Sequence, residues 1–460
     1  MNHNNKMAEM PVSKLMITTG IPMILSMMLQ AVYNIVDSAF VGRIENVGEE
    51  ALNALTLAFP IQMLMVAIAI GTGVGMGAVV SMQLGRKDKE CASLAAGNAA
   101  FLACIMYVIF LLFGIFGAKA YISSQTSNPL ILDMAVEYLR ICCVISFGIV
   151  FFSVFEKLLQ STGNSLYSTI AQIAGAVTNM ILDPILIYGW LGVPKLGVNG
   201  AAYATVIGQI VSFVLALIFH FKKNQDIKNG FAYMRPHLCM IKRIYAIGIP
   251  AIIAQALMSV MTYGLNLILV RIDESVVTAY GIFYKIQQFI LFAAFGLRDT
   301  ITPIVSFSYG SGNRKRVQDG IKYGLIYTIA IMLAGTVCME IFAGQLSELF
   351  GLSGGTKAIC VSAMRVISIS FVFAGANIAY QGIFQALESG TESLLVSVCR
   401  QFLFVLPIAW GFSYIIGHRV TMTWLVWTTF ILAEGISCFI AFMLMKKIHH
   451  KKLQFFNFST

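Results

Sequence analysis

The run Met16–Val41, MITTGIPMILSMMLQAVYNIVDSAFV, decides the fold. It is longer than the roughly 20 apolar residues that cross a hydrocarbon core as a helix. Its only charged residue is Asp37, at the end of Tyr33-Asn34-Ile35-Val36-Asp37. An ionised carboxylate at the centre of a lipid-embedded helix costs roughly 2.5–3.5 kcal/mol on insertion scales. Asp37 therefore reads as functional, against the plainer reading of an acid near a helix end that reaches the headgroups.

The rest of the chain is built the same way. Of its 460 residues 58% are hydrophobic and 11% charged, against about 25% charged in a soluble domain. This composition predicts an all-α integral membrane protein. The segment ahead of Met16 is polar and the first apolar run is too long for the core of a cleavable signal, so no leader is expected. No soluble domain is expected either; the longest polar segment is 221–243.

Net charge is +10, and its placement carries the information. Basic residues gather in the termini and in every second loop, at Arg86, Lys87 and Lys89, at Lys222 to Arg243, at Arg314 to Arg316 and at Lys446 to Lys452. The intervening loops hold only Arg43, Lys119, Lys195, Arg271, Lys357 and Arg419. By the positive-inside rule both termini are expected in the cytoplasm, with the chain multi-pass in the plasma membrane. The basic groups are then topology signals and contacts to membrane lipids, and no nucleic-acid partner is expected. Nine Cys, most of them inside apolar runs and none in a CxxC, predict neither a disulfide framework nor a metal site. All six His lie at span ends or in tails, so no catalytic constellation forms within the spans and no enzyme is expected.

Twelve spans are legible, at 16–41, 52–82, 94–117, 133–158, 166–189, 197–220, 243–269, 277–307, 320–343, 358–387, 393–416 and 422–445. The second six echo the first. Gly20-Ile21-Pro22 recurs as Gly248-Ile249-Pro250 and Arg43-Ile44 as Arg271-Ile272, both at one offset. At nearly that offset Ser81 and Gly85 match Ser306 and Gly310, Arg140 matches Arg365, and Pro184 matches Pro407. Two six-helix halves inserted the same way form pseudo-symmetric lobes related by an axis along the membrane normal, with a site between them. The expected organisation is an N-terminal lobe over 1–222, a cytoplasmic connector over 223–242 and a C-terminal lobe over 243–460.

The second span is unusual. Phe59-Pro60 and Gly71-Thr72-Gly73-Val74-Gly75-Met76-Gly77 place a proline and four alternating glycines in one helix. They read as a bendable helix, as close packing through small residues, or as both. A phosphate-cradling loop is ruled out, because no strand precedes the glycines and no Lys follows within reach.

Chemistry gathers in the first half. Tyr33, Asn34 and Asp37 share a helix face, with Gln30 one turn back. The fifth span carries Asn179 and Asp183 at i and i+4, followed at once by Pro184, which frees the carbonyl of Met180. Asp37 and Asp183 both lie in the outer part of spans running outward, roughly 6 and 9 Å from the end at 1.5 Å per residue. Two close carboxylates in a dry site cannot both stay ionised. Such a pair can take up H⁺ or hold Na⁺ with Asn179, and the residues do not separate the two ions. At the repeat offsets the second half has Leu265 and Thr262 opposite Asp37 and Asn34, and Leu406 and Phe402 opposite Asp183 and Asn179. Acids needed only to build the fold should recur, so their one-sidedness favours function.

The second half carries basic residues instead. Arg298-Asp299 reads as a local ion pair, Arg365 as structural like Arg140, and Lys285 as facing either a cavity or the headgroups. Glu156 and Lys157 read as interfacial. Of the 24 Met, most are packing bulk, while Met23, Met27, Met63, Met65, Met258 and Met261 are candidates for a surface that accepts many ligands.

Together these residues resemble the multidrug and toxic compound extrusion (MATE) family. The resemblance rests on Tyr33-Asn34-x-x-Asp37 before Gly42, Asn179-x-x-x-Asp183-Pro184 before Gly189, Leu84-Gly85 after the glycine-rich span and Gly197-Val198-x-Gly200-Ala201-Ala202-x-Ala204-Thr205. Phe59-Pro60-Ile61-Gln62-Met63-Leu64 is similar to its MepA-like branch. The resemblance implies a V-shaped bundle and antiport of amphipathic, often cationic drugs against H⁺ or Na⁺, with no other cofactor. It implies that Asp37, Asn179 and Asp183 couple the cation. It implies that Tyr33 and Asn34 line the same cavity, with Thr205 as a further ligand; Gln30, Met63, Lys285 and Asn377 complete the residues expected in the substrate cavity. Some members use acids of the seventh and tenth spans for Na⁺; here those stretches hold Tyr263, Asn266, Asn377 and Tyr380 and no acid. That favours H⁺, or Na⁺ held at Asp37, Asn179 and Asp183.

The expected function is multidrug efflux by a monomer. The rival is a lipid-linked oligosaccharide flippase of related fold, which needs a cationic cavity for pyrophosphate; Lys285, Arg298 and Arg400 are too scattered to favour it.

Overall fold

A computed structural model describes residues 6–44, 47–350 and 352–453, excluding the side chains of Asn34, Ile35, Ser38, Glu49 and Leu453. Among the described residues there is no strand. The first half is α1 (Val12–Val41), α2 (Gly48–Gly85), α3 (Lys89–Ser123), α4 (Pro129–Val144 and Phe147–Ser161), α5 (Ser165–Tyr188) and α6 (Val198–Lys223). The second is α7 (Leu238–Leu269), α8 (Glu274–Gly310), α9 (Arg314–Leu349), α10 (Gly354–Ser368 and Phe371–Ala386), α11 (Gly390–Ile416) and α12 (Trp424–Ile448). Ten are single helices long and apolar enough to cross a membrane, and α4 and α10 reach that length as bent pairs. These are the twelve spans read from the sequence.

Polar links end the helices as their chemistry requires. Asp88 accepts from the Cys91 N–H at 2.9 Å to open α3, and Asp273 from the Ser275 N–H at 2.8 Å to open α8. Asn128, with Pro129 at the first helical position, accepts from the Leu130 N–H at 3.0 Å to open α4. Such caps satisfy N–H groups that the first turn leaves without partners.

The bends were not legible. α4 turns by 45° and α10 by 52°, each across a short break inside an uninterrupted apolar run. The breaks are Ile145-Ser146 and Ile369-Ser370, which fall at equivalent places in the repeat. At the second, the Ser370 hydroxyl donates to the Ile367 carbonyl at 2.7 Å, taking up an acceptor that the interrupted helix releases.

The repeat is also visible as packing. The Ser81 hydroxyl donates to the Ser161 carbonyl at 2.8 Å, and its repeat counterpart, the Ser306 hydroxyl, donates to the Ala386 carbonyl at 3.0 Å. The chain forms two compact units. Unit 1 comprises residues 1–9 and 25–252, and unit 2 comprises 10–24 and 253–460. Each thus takes the leading half of one long helix, α7 in unit 1 and α1 in unit 2. In unit 1, side chains at Gly71 and Gly75 would collide with Ile252 and the Ile244 carbonyl of α7. In unit 2, a Cβ at Gly296 would lie 2.9 Å from the Ile24 Cα of α1. Gly73 faces α4, where a Cβ would lie 2.8 Å from Lys157 Cγ. α2 runs unbroken through all four glycines. Their alternation lets two different helices approach its two faces.

The connector is strapped to unit 1. Asn98 of α3 donates to the Tyr233 and Arg235 carbonyls at 3.2 and 3.3 Å and accepts from the His237 N–H at 2.8 Å. Ser93 accepts from the Lys228 N–H at 2.8 Å, and Lys89 pairs with Asp226 at 2.6 Å. Glu90 takes both the Lys228 ammonium and the Tyr233 hydroxyl.

Unit 2 is tied through a buried ion pair. Arg400 of α11 donates from Nε (3.0 Å) and Nη2 (2.7 Å) to Glu434 Oε1 of α12. Asn377 of α10 donates to Glu434 Oε2 at 2.7 Å. Removing one partner of such a pair costs about 3–5 kcal/mol, while well-packed apolar replacements of both are often neutral. Glu434→Ala is therefore expected to cut the yield of folded, monodisperse protein sharply, and Arg400→Met with Glu434→Leu to restore it, as read by thermal unfolding in detergent. For the connector, Asn98→Ala leaves backbone groups unpaired at about 1–3 kcal/mol. Exchange of the His237 amide should accelerate about tenfold, each 1.4 kcal/mol being a factor of ten.

Candidate acid site of unit 1

α5 brings Asn179 and Asp183 to one face, one helical turn apart, and both are buried, Asp183 with no exposed surface. α6 lies against that face because Gly208 and Gly175 remove side chains between them; a Cβ at Gly208 would sit 3.1 Å from Asn179 Cβ. This approach delivers Thr205 to Asn179. With its amide oriented so that both ends are satisfied, Asn179 Nδ2 donates to Asp183 Oδ2 at 3.3 Å, and its Oδ1 accepts from the Thr205 N–H at 3.1 Å. Among the described residues Asp183 Oδ1 has no hydrogen-bond partner.

α1 supplies the second acid. Asp37 is half-buried, its Oδ1 also lacks a partner among the described residues, and it lies within electrostatic reach of Asp183. Tyr33, one turn earlier, lies within electrostatic reach of both acids. Two carboxylates, an amide and a hydroxyl therefore converge from α1, α5 and α6. Ionised carboxylates only accept hydrogen bonds. A proton shared between them, or one small hard cation, fits the oxygens that Asn179 leaves free. Among the described residues no group of three His, Cys, Asp or Glu could hold a resident metal.

Two neighbours of Asp37, and the side chain that joins them, were missed. Gln62 of α2 donates to the Tyr138 hydroxyl at 3.4 Å and to Cys142 Sγ at 3.2 Å, and both α4 residues lie within electrostatic reach of Asp37. Their signal was Tyr138 and Cys142 at i and i+4, the spacing of Tyr33 and Asp37.

The remaining sequence candidates separate. Gln30 accepts from Gln172 Nε2 of α5 at 3.2 Å, below Tyr33. Met63 is half-buried on α2 beside Gln62. The side chain of Asn34 lies outside the described residues. Lys285 is exposed on α8, and Asn377 is fully buried in the Arg400–Glu434 cluster, both in unit 2. Arg298 and Asp299 form the expected pair, at 2.9 Å.

Glu156 and Lys157 correct an expectation. They are not interfacial but buried, 7% and 5% exposed. Gln160 joins them, accepting from Lys157 Nζ at 3.0 Å and donating to Glu156 Oε1 at 2.9 Å. The room for the Lys157 stem comes from Gly73 of α2, a partner that spacing along α4 does not show.

Comparison with known proteins agrees with this architecture. The multidrug export protein MepA of Staphylococcus aureus (strain NCTC 8325) is 27% identical over 448 residues, 95% of this chain and 93% of that protein. MepA of Staphylococcus haemolyticus is 24% identical over 444 residues, 96% and 95% of the two chains. A structure described as the outward-facing conformation of a multidrug resistance MATE family transporter superposes with a TM-score of 0.90 at 24% identity, covering 98% of this chain and 99% of that one. A MOP superfamily transporter from Pyrococcus furiosus does so at 0.84 and 25%, covering 98% and 99%. The family model described as MatE matches residues 22–185 and 250–410, so both acid-bearing helices of unit 1 and the bulk of its repeat fall inside the match, and the chain belongs to the MatE family.

Proposed function

We propose that this transporter exports amphipathic organic cations across the plasma membrane in exchange for H⁺, using Asp37 and Asp183 as one coupling site. The observation that carries the reading is the convergence, with Asn179 and Thr205, of two carboxylates, each with an oxygen that no group among the described residues satisfies. Proton binding removes a charge there that an organic cation would otherwise favour, so the two ligands oppose each other. Na⁺ held by Asp37, Asn179 and Asp183 is the alternative driver of the same cycle. The extent of the similarity to the staphylococcal export proteins supports drug export.

Unit 2 supports coupling through unit 1. Its buried Glu434 is already matched by Arg400 and Asn377. The same pairing weighs against the flippase: Arg298 and Arg400 are spent on Asp299 and Glu434 and do not form a pyrophosphate cradle.

In the cycle, the drug enters from the side of the basic loops and leaves on the opposite side as a proton arrives at the acids. The membrane potential adds about 2.3 kcal/mol per 100 mV for each net charge carried inward.

Efflux of a fluorescent cation in everted vesicles, under separate H⁺ and Na⁺ gradients, tests this. Asp37→Asn and Asp183→Asn are each expected to lower gradient-driven transport by at least about tenfold, as loss of a general acid–base group does. Wild-type pumping by Asp37→Asn under both gradients would show that the acids do not couple transport. Thr205→Val, which keeps volume and removes the hydroxyl, should cost less than either acid.

A further inference from the structure

α5 carries more polar groups than the acid site uses. Ser165, Ser168, Thr169, Gln172, Asn179 and Asp183 repeat at helical spacing on one face. All but the half-buried Gln172 are buried. The one gap in the pattern falls at Gly175, and there the buried Ser212 of α6 fills it: a side chain at Gly175 would collide with the Ser212 hydroxyl. Gln172 is held by α1, accepting from the Ser26 hydroxyl and donating to Gln30 at 3.2 Å. Among the described residues the Thr169 hydroxyl has no hydrogen-bond partner. From Ser165 to Asp183 the stripe rises about 27 Å at 1.5 Å per residue, close to the roughly 30 Å hydrocarbon thickness.

The stripe ends on a histidine. At the inner end of α5, Asn164 Nδ2 and the Thr162 hydroxyl donate to Asn224 Oδ1 at 2.7 and 2.5 Å. Asn224 Nδ2 then faces His220 Nδ1 at 3.1 Å, and His220 Nε2 faces Asn229 Oδ1 at 2.8 Å. With both Asn224 oxygen contacts made, the amide must donate to Nδ1, so the hydrogen of the neutral ring sits on Nε2. Phe155 of α4 packs on the ring, centroids 5.3 Å apart. On the elements that meet at this end the charged and titratable groups nearest in sequence are Lys222 and Lys223 on α6, Tyr167 on α5 with the Lys223 ammonium over its ring, Glu156 and Lys157 on α4, and Asp226 and Lys228 in the connector.

Unit 2 is the internal control. At the offset that relates Ser81 to Ser306, Ser393 and Ser397 of α11 repeat Ser168 and the Gln172 position. The row then meets Arg400, closed by Glu434, and the buried Gln401, and it ends in Phe404 and Ile408, which stand at that offset from Asn179 and Asp183. Met445 stands at the same offset from His220. A polar face needed only to pack α5 on α6 should have a complete counterpart; the full-length stripe occurs in the unit that has the acids.

We propose that the α5 stripe is the route by which the coupling proton leaves the acid site for the side of the basic loops, with His220 as its exit group. This rests on the H⁺-coupled reading above. Asp183 gives up its proton and becomes a carboxylate. The hydroxyls of the stripe, and the water they bind, pass it inward. His220 accepts a proton at Nδ1, as the Asn224 amide turns away, and releases the one on Nε2 at the Asn229 edge. The ring ends neutral, and one proton has crossed.

The test uses the full chain in proteoliposomes. Drug–drug counterflow reads binding and the conformational cycle, and H⁺-driven uphill transport reads proton passage. Thr169→Val, which keeps volume, and His220→Gln are expected to leave counterflow within about twofold of wild type. They should lower H⁺-driven transport by at least about tenfold, as loss of an acid–base group does. In His220→Gln the rate should also lose its dependence on pH at the basic-loop side. Wild-type H⁺-driven rates in both variants, or counterflow and pumping falling in equal proportion, would overturn the proposal. If His220→Gln does not fold, Thr169→Val decides alone. Asp37→Asn in the same assay separates the two claims: if it pumps normally on a proton gradient, the coupling reading has failed, whatever the stripe variants do.

Discussion

The constraint on which the structure depends is the cost of keeping a carboxylate away from water. Asp183 has no exposed surface, and among the described residues its one hydrogen bond is from Asn179. Burying a charge this deeply is tolerated only where it is paired, neutralised or replaced. Unit 2 shows the paired solution, with Glu434 fixed by a guanidinium and an amide. Unit 1 has no such cation beside its acids in the network described, and it sets a second carboxylate near the first. A charge left unmatched by the fold is one that a mobile ion can match, which is the physical basis for ion coupling.

The two units otherwise follow one plan. Ser81 to Ser161 and Ser306 to Ala386 are the same hydrogen bond made twice. Gly71 and Gly296, equivalent in the repeat, each admit the leading half of a long helix. The bends in α4 and α10 fall at equivalent residues. The differences lie in side chains and in local backbone, since α11 carries a π turn at Cys399–Leu403 where α5 is regular helix. They concentrate on α5 against α11, where Asn179 and Asp183 face Phe402 and Leu406 in the repeat.

Much of this was legible in sequence because membrane insertion makes it so. Uninterrupted apolar runs marked all twelve spans, and the isolated charge of Asp37 marked the site. Asn179 and Asp183 were readable because i, i+4 spacing fixes a shared face. What failed involved partners on other helices. Arg400 read only as one of several scattered basic residues, and only the packing of α11 on α12 reveals Glu434 beside it. Glu156 and Lys157 looked interfacial, since nothing in α4 announces the space that Gly73 leaves. The α4 and α10 bends were hidden because Ser146 and Ser370 are ordinary within apolar helices, and the Gln62 bridge to Tyr138 joins helices that sequence spacing does not connect.

The central claim is that drug and proton compete for one pair of acids. Its most direct measurement is proton release from the purified transporter in weakly buffered detergent solution when a cationic drug is added. The account predicts that drug binding expels protons from the wild type, with release lost in Asp37→Asn and in Asp183→Asn. Drug binding that expels no protons from the wild type, or expels as many from both variants, would contradict it.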